Sequence, residues 1–152
     1  MEKEAKSVEI SIPSELGYEK VAMKTGEALA ELLGFQDERI EDLKTAISEA
    51  VLNAIEHGNK FNKKLSVLVL MTAKEGRLEI EVHDKGKGIK RVSKKTPDIN
   101  KKIEGKETPR GLGMFLIENL VDEVEVFSDS SEGSYIRMVI HLEAKKWLLN
   151  LL

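Results

Sequence analysis

Cysteine is absent from all 152 residues, which excludes a disulfide scaffold and any thiolate metal site. The only histidines, at 57, 83 and 141, have separations that match no zinc-ligand spacing, so a structural zinc site is not expected either. Long hydrophobic runs are also missing: VLVLM and WLLNLL are the longest and fall far short of the roughly 20 residues a bilayer requires. The opening MEKEAKSVEI is charged and lacks the apolar centre of a secretory leader. A soluble, cytoplasmic protein with no membrane association is therefore expected. Neither an internal repeat nor an interdomain linker is present, and a chain that is 41% hydrophobic and 34% charged suits one domain over 1–152.

The net charge of −3 is unevenly spread. Residues 85–110 hold ten Lys/Arg against three acids, a local +7 that leaves the rest at −10. Such an acidic body is a poor direct nucleic-acid binder, whereas a basic segment beside a phosphate site is useful. The alternative is a solvated, charge-rich loop.

Along the chain, SVEISIP (7–13) alternates apolar and polar residues and stops at Pro13, which predicts a half-buried strand. Ser14 is then placed to cap a helix over about 15–33, with Leu16, Val21, Ala28, Leu29 and Leu32 among its apolar positions and Gly34 as its stop. A second helix runs from Asp37 to Gly58 with one stripe of Ile40, Leu43, Ile47, Ala50, Val51 and Ala54. LSVLVLMTA (65–73) and RLEIEVHD (77–84) flank KEG, a hairpin signal. After an aperiodic stretch from Lys85 to Arg110, residues 111–121 read as helical, and EVEVFSD with SYIRMVIHLE forms a second hairpin around SSEG. The final EAKKWLLNLL suits a short amphipathic helix. Grouped strands and helices in this order predict an α+β two-layer sandwich: a mixed, mostly antiparallel sheet with helices on one face.

Three clusters carry chemistry. Leu78, Ile80, Val82 and Asp84 share one face of a strand, so a carboxylate ends an apolar row and needs a donor unless it already lies in water or closes a turn. The following DKGKGI supplies Gly86 and Gly88, which allow a flat ligand close to the backbone but also occur in ordinary turns. From Arg110, RGLGM places Gly111 and Gly113 at a helix start, where free amides and the dipole suit an oxyanion or phosphate. In SEAVLNAIEHG, Glu49, Asn53 and Glu56 fall on one side of the second helix, with His57 at its edge. A solvated polar side explains them; so does an amide oxygen for Mg2+ beside a carboxylate for a hydroxyl proton.

In this order and spacing, Glu49-x-x-x-Asn53, Asp84-x-Gly86-x-Gly88, a long basic loop and Gly111-x-Gly113 resemble the N, G1 and G2 boxes of the Bergerat-fold (histidine-kinase-like) ATPases. Among these, SEAVLNAIEHGN and GLGMFLIENLVDEVEV look most like the bacterial anti-sigma factor serine/threonine kinases, and the likeness extends to about Leu142. The resemblance implies ATP and Mg2+ as cofactors, Asn53 as the metal ligand and Glu49 as general base for a partner's serine or threonine. It implies Asp84 as acceptor of the adenine amine, with Gly86 and Gly88 shaping that pocket. Gly111, Leu112, Gly113 and Met114 would hold phosphates, Arg110 or lid lysines would neutralise the terminal phosphate, and residues 85–110 would form the lid. The implied partners are a sigma factor, an anti-anti-sigma protein as phosphorylation substrate, and a second copy of the chain meeting through the first strand and helix. His57 would pack at the pocket edge. The pattern departs from the family in two ways: Phe115 stands where a third glycine is common, and the lid is unusually rich in lysine. Only about 36 residues precede the second helix, so a histidine kinase with its own phosphoacceptor segment is not expected. A non-catalytic, nucleotide-gated binding module and a domain without nucleotide remain the alternatives.

Overall fold

Alternating apolar residues build five strands in the computed structural model, which describes residues 4–85, 109–129 and 133–143. They are β1 (Lys6–Pro13), β2 (Ser66–Lys74), β3 (Arg77–Asp84), β4 (Glu123–Asp129) and β5 (Gly133–His141), in the order β1-β2-β3-β5-β4. Every pairing among the described residues is antiparallel. The register aligns the inward residues in rows, such as Ile10, Val69, Val82, Ile136 and Val126, then Met71, Ile80, Met138 and Val124. These rows form the floor of the core, and the helices cover that one face. The result is the expected α+β sandwich.

The helices are α1 (Glu19–Leu33), α2 (Asp37–Asn53) and α3 (Pro109–Leu120). Every residue of the stripe expected on α2 is buried, together with Ala46, Asn53 and Ile55, because α2 is packed between α1 and α3 as well as over the sheet. Helix α1 meets it differently from expectation. Its buried residues are Ala22, Gly26 and Ala30, spaced one turn apart, while Val21 and Leu32 are 47% and 83% exposed. A Cβ on Gly26 would stand 2.3 Å from Ile47 Cδ1, so the seam of small residues lets the two helices approach closely and leaves Val21 and Leu32 outside, while Met23, Leu29 and Leu33 pack partly buried against the core.

Helix α1 also starts four residues later than predicted. Ser14 does not cap it: the side chain is buried, donates to the Leu65 carbonyl and accepts from Asn59 Nδ2. The first turn is instead tied by Glu19, whose carboxylate accepts the Gly17 N–H at 2.7 Å. At the other end Gly34 adopts φ 85° and its N–H returns to Ala30 and Glu31, the expected stop. Helix α2 does not run unbroken to Gly58. It passes at Ala54 into a π turn, Ala54–Gly58, closed by the Asn59 N–H on the Ala54 carbonyl at 2.8 Å.

A buried ion pair locks the far end of the sandwich. Arg39 on α2 donates to Asp122 Oδ2 at 2.7 Å and to the His141 carbonyl at 2.9 Å, and the His141 N–H donates to the same carboxylate. On the open sheet face, Glu79 accepts from Arg137 and pairs with Lys74, and His83, Tyr135 and Phe127 stack across three strands. Most of the expected lid and the tail from Ala144 onward lie outside the described residues.

Candidate functional site

Strand β3 delivers Asp84 where its period-two row requires, on the inner face, with 3% of its surface exposed. The β3–β5 register sets Asp84 opposite Ser134, and the Ser134 hydroxyl donates to Asp84 Oδ2 at 2.8 Å. The donor that a buried carboxylate needs thus comes from a residue 50 positions away. Two glycines make room for this aspartate. A Cβ on Gly58 would lie 2.4 Å from the Asp84 carboxyl carbon, and one on Gly133, at φ +100°, would lie 2.2 Å from the Asp84 carbonyl oxygen. The next residue is held as well: the Lys85 N–H donates to Asn59 Oδ1 at 2.8 Å.

Five and nine positions earlier on the same helical rod, α2 brings Asn53 and Glu49 against the start of α3. A Cβ on Gly113 would stand 2.9 Å from Glu49 Oε2, 3.5 Å from Asn53 Nδ2 and 3.7 Å from Asn53 Oδ1. Gly113 is therefore the gap through which α3 approaches the pair. The reading of Glu49 and Asn53 as a solvated polar side does not describe Asn53, which is only 5% exposed and whose Nδ2 has no hydrogen-bond partner among the described residues. Such an orphaned amide costs about 1–3 kcal/mol unless something completes it.

Glu49 is half-buried, and its carboxyl is pushed above the usual glutamate range, first by burial and then by the negative charge of Glu56. That direction suits a base that must accept a proton near neutrality. His57 is half-buried, 3.9 Å from Glu56.

Helix α3 begins at Pro109, two residues before the predicted start, and proline at a first helical position sacrifices no hydrogen bond. The unbonded amides of its first turn then belong to residues up to Leu112, while Gly113 and Met114 come after them. Met114 is a core side chain, 2% exposed. The backbone of Arg110, Gly111 and Leu112 lies in that first turn. Gly86 and Gly88 fall outside the described residues.

The structure thus brings Glu49, Asn53 and Gly113 together at one end and Asp84, Gly58, Gly133 and Ser134 at the other. Glu49 and Gly58 stand nine positions apart along α2 and the π turn, about 13 Å at helical rise. Sequence reasoning missed Ser134, Gly133 and Asn59. Only the cross-strand register reveals the first two, and Asn59 in HGNK reads as an ordinary turn residue.

A family model described as the histidine kinase-like ATPase domain matches residues 12–140. Among curated proteins, the chain is 35% identical to the serine-protein kinase RsbW of Bacillus licheniformis, covering 86% of this chain and 83% of that protein. It is 32% identical to the protein of the same name from Bacillus subtilis, over 96% and 92%. It is also 33% identical to the anti-sigma F factor of a Thermoanaerobacter species, over 91% and 96%. A solved structure of the RsbU and RsbW domains of a Mycobacterium tuberculosis protein superposes with a TM-score of 0.64 at 19% identity, covering 90% of this chain and 32% of that longer one. This last likeness speaks for the fold.

Proposed function

Since this chain belongs to the histidine kinase-like ATPase domain family, we propose that it is an ATP-dependent serine/threonine protein kinase serving as an anti-sigma factor. In this reading it binds and inhibits a sigma factor and phosphorylates an anti-anti-sigma antagonist on serine or threonine. Relatives named for a serine-protein kinase and for an anti-sigma factor, matched over most of their length, support it. The observation that carries it is the convergence of Glu49 Oε2 and the Asn53 amide on the gap at Gly113, with the buried Asp84 of β3 packed on Gly58 where the same rod ends.

In this assignment Asp84, oriented by Ser134, accepts the amino group of adenine, and Gly86 and Gly88 form the adjoining wall. Amides of Gly111 and Leu112 at the α3 N-terminus receive the phosphates, Gly113 and Met114 set the helix at the right distance, and Arg110 neutralises the terminal phosphate. The residues fit a magnesium-nucleotide: the buried Asn53 Nδ2 is a donor without a partner among the described residues, suited to a phosphate oxygen, and the side-chain oxygen is the hard ligand that Mg2+ prefers. Bound there, the cation would neutralise phosphate charge. Glu49 takes the proton of the partner's hydroxyl as that oxygen attacks the terminal phosphorus, and ADP leaves with the displaced electron pair.

The whole chain then acts as one cytoplasmic domain, and a homodimer is part of the proposal. Val8, Leu16, Tyr18 and Val21 expose apolar surface along β1 and the start of α1, the region expected to meet a second copy. Incubation with γ-labelled ATP and an anti-anti-sigma protein of the source organism should label serine or threonine, and Glu49→Ala should abolish labelling while ATP still binds. Labelling that survives Glu49→Ala removes Glu49 as the base. No transfer, together with nucleotide-dependent partner capture, favours the non-catalytic module.

A further inference from the structure

Asn59 stands at the exit of the π turn, 2% exposed, with both amide protons and its oxygen engaged. Nδ2 donates to Ser14 Oγ at 2.9 Å and to the Ser66 carbonyl at 3.2 Å, while Oδ1 accepts the Lys85 N–H at 2.8 Å. Ser14 in turn donates to the Leu65 carbonyl. One side chain therefore joins the exit of β1, the entry to β2 and the residue immediately after β3. Among the described residues, none of its hydrogen bonds goes to Glu49, Asn53 or α3.

The geometry of the Asp84–Lys85 peptide gives this junction a consequence. Its N–H and C=O lie in one plane, so fixing both ends fixes the plane. Asn59 holds the N–H end, and the C=O end is packed where Gly133 lacks a side chain. Gly58, the residue before Asn59, packs against the Asp84 carboxyl group itself. Consecutive residues Gly58 and Asn59 thus grip consecutive residues Asp84 and Lys85, one by contact and one by hydrogen bond.

We propose that Asn59 is a positioning residue for base recognition: through the Lys85 N–H it fixes the Asp84–Lys85 peptide and so sets the direction of the Asp84 carboxylate. The role rests on the reading of Asp84 as the adenine acceptor. It is confined to the base end of the site, so it governs which nucleobase is held and leaves the phosphate end alone.

The test is calorimetric titration of Mg-ATP, Mg-ADP and Mg-GTP into the full chain, wild type and Asn59→Ala, with thermal melts of both. Asn59→Ala should weaken ATP and ADP equally, by about tenfold, and reduce the preference for ATP over GTP by roughly fivefold or more. Ser14→Ala, which removes the anchor but keeps the Lys85 bond, should show the same pattern at about two- to fourfold. A purely structural role would lower the melting temperature but leave the affinities and the ATP/GTP ratio of the folded protein unchanged, and that result overturns the proposal. If Asn59→Ala does not fold, Ser14→Ala decides, with an unchanged ratio counting against. A wild type that binds ATP beside variants with unchanged selectivity overturns this inference alone; a wild type that binds no nucleotide overturns the proposed function and this role together.

Discussion

One methyl group added at Gly113 separates what the site needs from what the fold needs. The new Cβ would lie 2.9 Å from Glu49 Oε2, so the carboxylate must retreat by about 0.5–1 Å to regain ordinary contact distance. That oxygen ends a flexible side chain, and moving it off its rotamer costs about 0.5–1.5 kcal/mol. Alanine in place of glycine inside a helix returns about 0.8–1.0 kcal/mol. The two nearly cancel, and Gly113→Ala should melt within a few degrees of wild type. Its phosphotransfer rate should nevertheless fall on the order of 100-fold, the typical consequence of misplacing a reacting group by 1 Å. Labelled-ATP transfer to the antagonist, run beside a thermal melt, reads both quantities. On a Glu49→Ala background the same substitution should add little further loss, because it acts through that carboxylate. A Gly113→Ala protein that keeps a rate within about threefold of wild type would refute the reasoning from this contact.

Gly58→Ala should behave in the opposite way. Its Cβ would meet the Asp84 carboxyl carbon and Oδ2 at 2.4 Å and the Asp84 Cβ at 2.6 Å, atoms close to the backbone that cannot swing away. A loss of about 1–3 kcal/mol in stability together with weakened ATP binding is expected from melting and calorimetry, and unchanged binding would contradict the packing. Glu56→Gln should shift the acidic limb of the pH–rate profile to lower pH. The Glu49 carboxyl is held high first by burial and second by Glu56, and a base that must be ionised loses activity as pH falls through its pKa. Only the second cause is removed, so the limb should stay above that of an ordinary glutamate; an unmoved limb would show that Glu49 is not the titrating base. By the same sign, a raised folded-state pKa means that ionising Glu49 opposes folding above the carboxylate range, and Glu49→Gln should be no less stable at neutral pH. Arg39→Met leaves Asp122, 6% exposed in its side chain, without its cation, and should cost about 3 kcal/mol, a fall of roughly 6–12 °C in Tm.

Much of the fold was legible because strands announce themselves by alternation. The predicted limits of β3 and β4 coincide with the structure, and those of β1, β2 and β5 differ by only one or two residues. The helices were harder, for identifiable reasons. Val21 and Leu32 read as apolar positions of α1, but the close approach of α2 selects small residues, and nothing within one helix says where its neighbour lies. Ser14 has the chemistry of a cap, yet a buried carbonyl and Asn59 outcompete the helix for it. Of the site, Asp84 was legible from its place at the end of an apolar row. The convergence of Glu49 and Asn53 on Gly113 needed helix packing, and Ser134 needed the pairing of strands 50 residues apart.

The most direct test of the nucleotide site is calorimetric titration of Mg-ATP into wild type and Asp84→Asn, after both are shown to be folded. The account predicts that wild type binds and that Asp84→Asn binds at least about tenfold more weakly, since the exchange removes a charged acceptor worth about 1.5–3 kcal/mol. Equal affinity in the two proteins, or no binding and no retained nucleotide in the wild type, would contradict it.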